Sequence, residues 1–146
     1  MKKYLTAAAL TACVLLLASC SAITAGADDG ESADRAATTK LASGVMMQGF
    51  YWDVPAGGTW YNTMKGKVST LKNMAANYGI DVIWFPPASK GQGGATTMGY
   101  DPHDYYDLGK YVQDGTTETR FGSQTELKSA IAAYKAAGIA SMADIV

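Results

Sequence analysis

The chain has 146 residues, a length that suits one ordinary domain. Hydrophobic residues make up 48% and charged residues 17%, a balance of globular chains that excludes intrinsic disorder as the general state. A formal net charge of −1 offers no basic excess for nucleic acid, so none is expected as a partner.

Residues 1–19 read as an export leader and not as part of the fold. Met1-Lys2-Lys3 forms a basic start, and Leu5 to Leu17 is a short run rich in Ala and Leu. The run falls short of the ~20 apolar residues that span a bilayer comfortably. It ends in Leu17-Ala18-Ser19-Cys20, which resembles the lipobox of bacterial lipoproteins. That resemblance implies cleavage before Cys20 and a lipid on its new N-terminus. The membrane is then a partner through Cys20, and the location is an exported, anchored one, at an outer membrane or cell surface. Cys13 leaves with the leader, so the mature chain has no second cysteine for a disulfide. From Cys20 to Lys40 the chain is small and polar without an apolar period, as expected of a flexible tether.

The texture changes at Leu41, and residues 41–146 are expected to form the folded part. Gly44 to Trp52 reads as a first strand, followed by turn signals at Pro55, Gly57 and Gly58. Trp60, Met64, Val68, Leu71, Ala75 and Tyr78 then recur at spacings of three or four, which predicts one continuous helix. Thr59 is its expected N-cap and Gly79 its C′ residue. Val82-Ile83-Trp84-Phe85 is an unbroken apolar run stopped by Pro86-Pro87, as a parallel strand buried on both faces requires.

A long connection runs from Ala88 to about Gly122, far beyond the usual two to six residues, and loops of that length are commonly functional. Ser123-Gln124-Thr125-Glu126 then spells a capping box. The helix after it should bury Leu127, Ala130, Ile131 and Tyr134 and end at Gly138, before a third strand from Ile139 to Val146. The order strand–helix–strand–helix–strand predicts an α/β fold with a parallel sheet. Neither helix opens on Gly-x-Gly-x-x-Gly, which argues against dinucleotide binding.

The densest chemistry lies in Met98 to Tyr111, where four tyrosines, three aspartates and the only histidine of the chain fall together. Aromatic faces pack on the C–H faces of sugar rings, and carboxylates accept hydrogen bonds from hydroxyls. Tyrosine brings apolar area with a polar tip. The mixture suggests a carbohydrate surface.

Four blocks resemble successive segments of the α-amylases, glycoside hydrolase family 13, in family order. They are Gly44 to Asp53, Val82 to Gly91, Gly99 to Gly109 and Gly115 to Gly122. The resemblance implies the first three strands and two helices of a (β/α)8 TIM barrel, truncated, from a monomeric bacterial lipoprotein. The complete enzyme would hydrolyse α-1,4-glucosidic bonds of starch-like α-glucans with retention. By the same likeness, Tyr100 stacks on the sugar at the cleavage point, and Asp104 supports the loop around it. His103 stands where relatives often carry tyrosine, and is expected only to make a loop hydrogen bond. Ala143 to Val146 resembles the first half of the third-strand motif, in which Asp144 supports the active site. The family's calcium-binding Asn would follow Val146, so calcium is expected of the complete protein, with no metal ligand in this chain. The two catalytic carboxyl groups lie on later strands in the family, and Asp53, Asp101, Asp107 and Glu118 do not match them. The 146 residues alone are therefore expected to be inactive, and to aggregate through unpaired strand edges. The alternatives are a non-catalytic glycan-binding lipoprotein, or a related enzyme with α-glucosidase or transglycosylase activity.

Overall fold

A computed structural model describes residues 44–78 and 80–146. The leader over 1–19, Cys20, the tether over 20–40, Leu41 and Gly79 lie outside the described residues, as do the side chains of Ala75 and Tyr78. In chain order the elements are β1 (Val45–Gln48), α1 (Trp60–Gly66), α2 (Val68–Tyr78), β2 (Ile80–Trp84), β3 (Lys90–Gly91), β4 (Pro102–Asp104), α3 (Gln124–Ala136) and β5 (Ala140–Met142).

β1, β2 and β5 form a parallel sheet in that order, so the fold is mixed α/β with β2 in the middle. The central position explains its sequence. Ile80, Val82 and Ile83 are all buried, so both faces of the strand are covered. β1 pairs with β2 alone and leaves Val45 and Met46 exposed. The ladders continue one residue past the strands, with Gly49 N–H donating to Trp84 O at 2.8 Å and Phe85 N–H to Met142 O at 2.8 Å. Gly49 is required there, because a Cβ would stand 2.6 Å from Met64 Cε and 2.8 Å from Trp84 O.

The expected single helix over Trp60 to Tyr78 is two. Lys67 N–H donates to Met64 O, the tightened bond of a closing turn, and helix resumes at Val68. Gly66, the poorest ordinary helix former, weakens that point. Thr59 makes no side-chain cap. Instead Tyr61 N–H donates to Phe121 O at 2.9 Å, so the long connection caps α1 from outside.

α3 opens on the capping box that its sequence predicts. Ser123 Oγ accepts from Glu126 N–H at 3.3 Å, and Glu126 Oε2 accepts from Ser123 N–H at 2.8 Å. Donation from the Ser123 N–H foremost, then from the Ser123 hydroxyl and the Asn62 amide, holds the Glu126 carboxyl below its usual range. Ser123→Ala should cost ~1 kcal/mol, measured as a lower denaturant midpoint of the protein. An unchanged midpoint would mean that packing alone fixes the start of α3.

α1 and α3 lie side by side, joined by Tyr134 Oη donating to Met64 O at 2.8 Å and Lys65 Nζ to Ser129 Oγ at 2.8 Å. The core between helices and sheet holds Phe50, Met64, Leu71, Ile83, Phe85, Leu127, Ala130 and Tyr134. Phe85 meets Tyr134 edge-on at 5.6 Å. Ile131, expected inside, is 38% exposed. Tyr61, which lies off the predicted stripe, is wholly buried. Phe121 from the long connection packs beside Tyr61 at 6.1 Å, which covers that side of the helix.

Candidate functional site

Because β1, β2 and β5 run parallel, their C-terminal ends open onto one rim of the sheet. Three connections leave there, and each brings a side chain to the same place. Trp52 sits in the turn after β1, Tyr100 in the long connection after β2, and Asp144 just beyond β5. The Trp52 and Tyr100 rings stack, 6.1 Å between centroids and 14° from parallel. Tyr100 Oη donates to Asp144 Oδ2 at 2.8 Å. Desolvation, then the hydrogen bond and negative charge of Asp144, push the Tyr100 phenol up to about 12. It therefore stays a protonated donor at any ordinary pH.

These rings border an open cleft of about 420 Å³, which Asp53, Thr96, Asp101 and Arg120 also line. Trp52 is 70% exposed and Tyr100 43%, so apolar ring area faces solvent beside carboxylates. Arg120 braces the cleft wall. Its Nε donates to Val54 O at 2.8 Å and its Nη1 to Thr96 O, tying the turn that carries Trp52 to the segment that leads to Tyr100. Asp101 Oδ2 accepts from Gly93 N–H at 3.2 Å.

Behind the cleft, the long connection is knotted by a buried ion pair. Lys90 and Asp107 are both fully buried, with Nζ 3.8 Å from Oδ2. Lys90 Nζ also donates to the carbonyls of Thr116 at 3.1 Å, Thr117 at 2.6 Å and Glu118 at 3.2 Å. Asp107 Oδ1 accepts from the N–H groups of Gly109, Lys110 and Tyr111, and Oδ2 from Gln113 Nε2 at 3.1 Å. Burial pushes the Asp107 carboxyl up, but the N–H donors of Lys110 and Tyr111, the Lys90 ammonium and the Gly109 N–H outweigh it. The carboxyl ends below its usual range. Gly109 sits at φ +89°, where a Cβ would meet Gly122 O at 2.7 Å. Asp104 accepts from Gln113 Nε2 at 2.9 Å and Tyr106 N–H at 2.9 Å, and both bonds lower its carboxyl, Gln113 the more. His103 Nδ1 contacts Asp114 Oδ2, a loop contact as its sequence position suggests.

No family model matches the chain. It is 38% identical over 104 residues to the glucan 1,4-alpha-maltohexaosidase of Bacillus sp. strain 707, covering 71% of this chain. It is 35% identical over 102 residues to the cytoplasmic alpha-amylase of Escherichia coli strain K12, covering 70%. The chain belongs to the α-amylase family.

Among solved structures, this α-amylase-family chain is similar to a truncated alternansucrase of Leuconostoc mesenteroides. The TM-score is 0.55 at 26% identity, covering 71% of this chain and 10% of that one. The chain spans only 19% and 20% of the lengths of the two relatives above.

Of the site residues expected from the α-amylase likeness, the structure brings Tyr100 and Asp144 into contact. Asp104 is placed apart from them, in the Asp107 network and outside the cleft. Cys20 lies outside the described residues. Three participants escape a sequence reading. Trp52 looks like part of a strand, Arg120 like an ordinary loop charge, and Lys90 like a solvated lysine. A lysine inside the compact Pro86-Pro87…Gly91 block, just after a buried strand, is the one signal that could have pointed to burial.

Proposed function

We propose that the complete protein is a retaining α-glucan hydrolase of the α-amylase type, and that this chain supplies part of its substrate cleft. The observation that carries the reading is the meeting of Trp52, Tyr100 and Asp144 at the C-terminal ends of consecutive parallel strands. Such strand ends are where βα barrels place their active sites. Sheet order equal to chain order supports the same architecture, since a doubly wound sheet reverses its order at the binding crevice. We take residues 44–146 as the first three strands of a (β/α)8 barrel.

In this reading Tyr100 lies against the sugar ring at the cleavage point. Its C–H/π contact binds the ring, and its hydroxyl, held by Asp144, fixes the tilt of that face. Asp104 supports the loop through Gln113. Retention requires a nucleophilic carboxylate and an acid/base carboxyl ~5–5.5 Å apart across the bond. We assign neither role within residues 44–146, so the 146-residue chain alone should be inactive and should expose unpaired strand edges. Among the described residues no group of three His, Cys, Asp or Glu side chains is placed to hold a metal ion. We place the expected calcium ligand, an Asn, after Val146, and no step depends on it here. Cys20 is proposed as the lipid anchor of an exported monomer, at an outer membrane or cell surface.

The likeness to alternansucrase favours one second reading, a relative that transfers glucosyl units or acts on other α-glucosidic bonds. Both are tested by incubating the complete protein with maltoheptaose and following the first-formed anomers by proton NMR. The proposal expects shorter maltooligosaccharides with α-configured new ends. Longer products would favour transfer, and glucan binding without new reducing ends would leave a non-catalytic glycan-binding lipoprotein.

A further inference from the structure

The buried Lys90 is not used by the cleft chemistry above, yet its partners lead to the cleft. Its ammonium is fully buried and donates to three acceptors, the carbonyls of residues 116 to 118, with the Asp107 carboxylate as its ion-pair partner at 3.8 Å. Three successive carbonyl oxygens and a carboxylate around one point form the donor set that a hard cation takes, and here a side chain fills it. Two residues beyond Glu118, Arg120 spans Val54 O and Thr96 O. Val54 follows Trp52 and Thr96 precedes Tyr100, the two stacked rings of the cleft. Arg120 can clamp those loops only while its own segment is fixed. Thr119 and Gly122 close that segment on itself, Phe121 anchors its far end in the core beside Phe50 and Tyr61, and Lys90 holds its near end at residues 116–118.

We propose that Lys90 is a positioning residue of the glucan cleft. It pins residues 116–118, and so sets Arg120, which in turn holds the Trp52 and Tyr100 loops at stacking distance. The ammonium acts on substrate affinity without touching substrate. This rests on the glucan-cleft reading for its kinetic arm, while a second arm is independent of activity.

The test compares Lys90→Met, Arg120→Ala and the double variant in the complete protein. Lys90→Met keeps the length of the side chain and removes the charge. It should raise KM for maltoheptaose about fivefold with kcat changed less than about twofold, and the double variant should be no worse than Arg120→Ala alone. The independent arm is limited trypsin digestion. Cleavage after Arg120 should rise about tenfold in Lys90→Met, while cleavage after Lys128 and Lys135 on α3 stays as in the wild type. An unchanged KM in an active protein, multiplicative KM effects in the double variant, or equal gains at all three trypsin sites would overturn the proposal. If the wild type releases no sugar, the hydrolase reading fails and the trypsin pattern alone decides. Should Lys90→Met yield no folded protein, Arg120→Lys takes its place. Lysine cannot bridge both carbonyls, so KM must rise, and a wild-type KM would refute the mechanism.

Discussion

Asp107→Ala is expected to destabilise the protein by ~3–5 kcal/mol, the cost of breaking a buried ion pair from one side. The carboxylate satisfies three backbone N–H groups and Gln113, and it faces Lys90 where both side chains are fully buried. Alanine leaves those donors unpaired, and water cannot reach them without opening the connection. Thermal or urea unfolding of the complete protein measures the loss. A change below ~1 kcal/mol would mean that the loop re-forms its bonds without the carboxylate. The same group fixes a pH dependence. The Asp107, Asp104 and Glu126 carboxyls all lie below their usual range when folded. Their stabilisation is therefore fully present above the unfolded value of ~4 and is lost as pH falls through the lower folded values. Stability should drop on acidification below about pH 4, less steeply in Asp107→Asn. A profile of equal slope in that variant would remove Asp107 from the account.

Tyr100→Ala should lower kcat/KM on maltooligosaccharides by ~1–2 kcal/mol, about tenfold. The ring lies exposed in the cleft beside the still more exposed Trp52, and it is held by stacking and by a hydrogen bond to Asp144. Tyr100→Phe separates the two contributions. It keeps the ring and loses only the donor to Asp144, so it should retain clearly more activity than alanine. Equal losses would mean that the hydrogen bond, and not the stacking face, matters. Wild-type kinetics in Tyr100→Ala would place the substrate elsewhere.

Elements fixed by local rules were readable from sequence. The apolar run at Val82 to Phe85 marked β2 because a central strand has no solvent face, and Ser123 with Glu126 marked α3 because a capping box closes within four residues. What depended on distant partners was not readable. Thr59 looked like a cap, but the carbonyl of Phe121 does that work from sixty residues away, by backbone alone. The run from Trp60 to Tyr78 kept its period across Gly66, so nothing in the pattern announced the break at Lys67. Tyr100 and Asp144 came from likeness to the α-amylases, since no spacing rule links residues 44 positions apart. Lys90 and Asp107 were passed over for the opposite reason. Each is an ordinary surface residue by type, and only the folded connection makes them a buried pair.

The most direct test of the cleft is a structure of the complete protein with a maltooligosaccharide bound. The account predicts a glucose ring against Tyr100, between Trp52 and Asp144, with Arg120 still joined to Val54 and Thr96. A glucan chain bound at another face, with this cleft free of sugar, would contradict it.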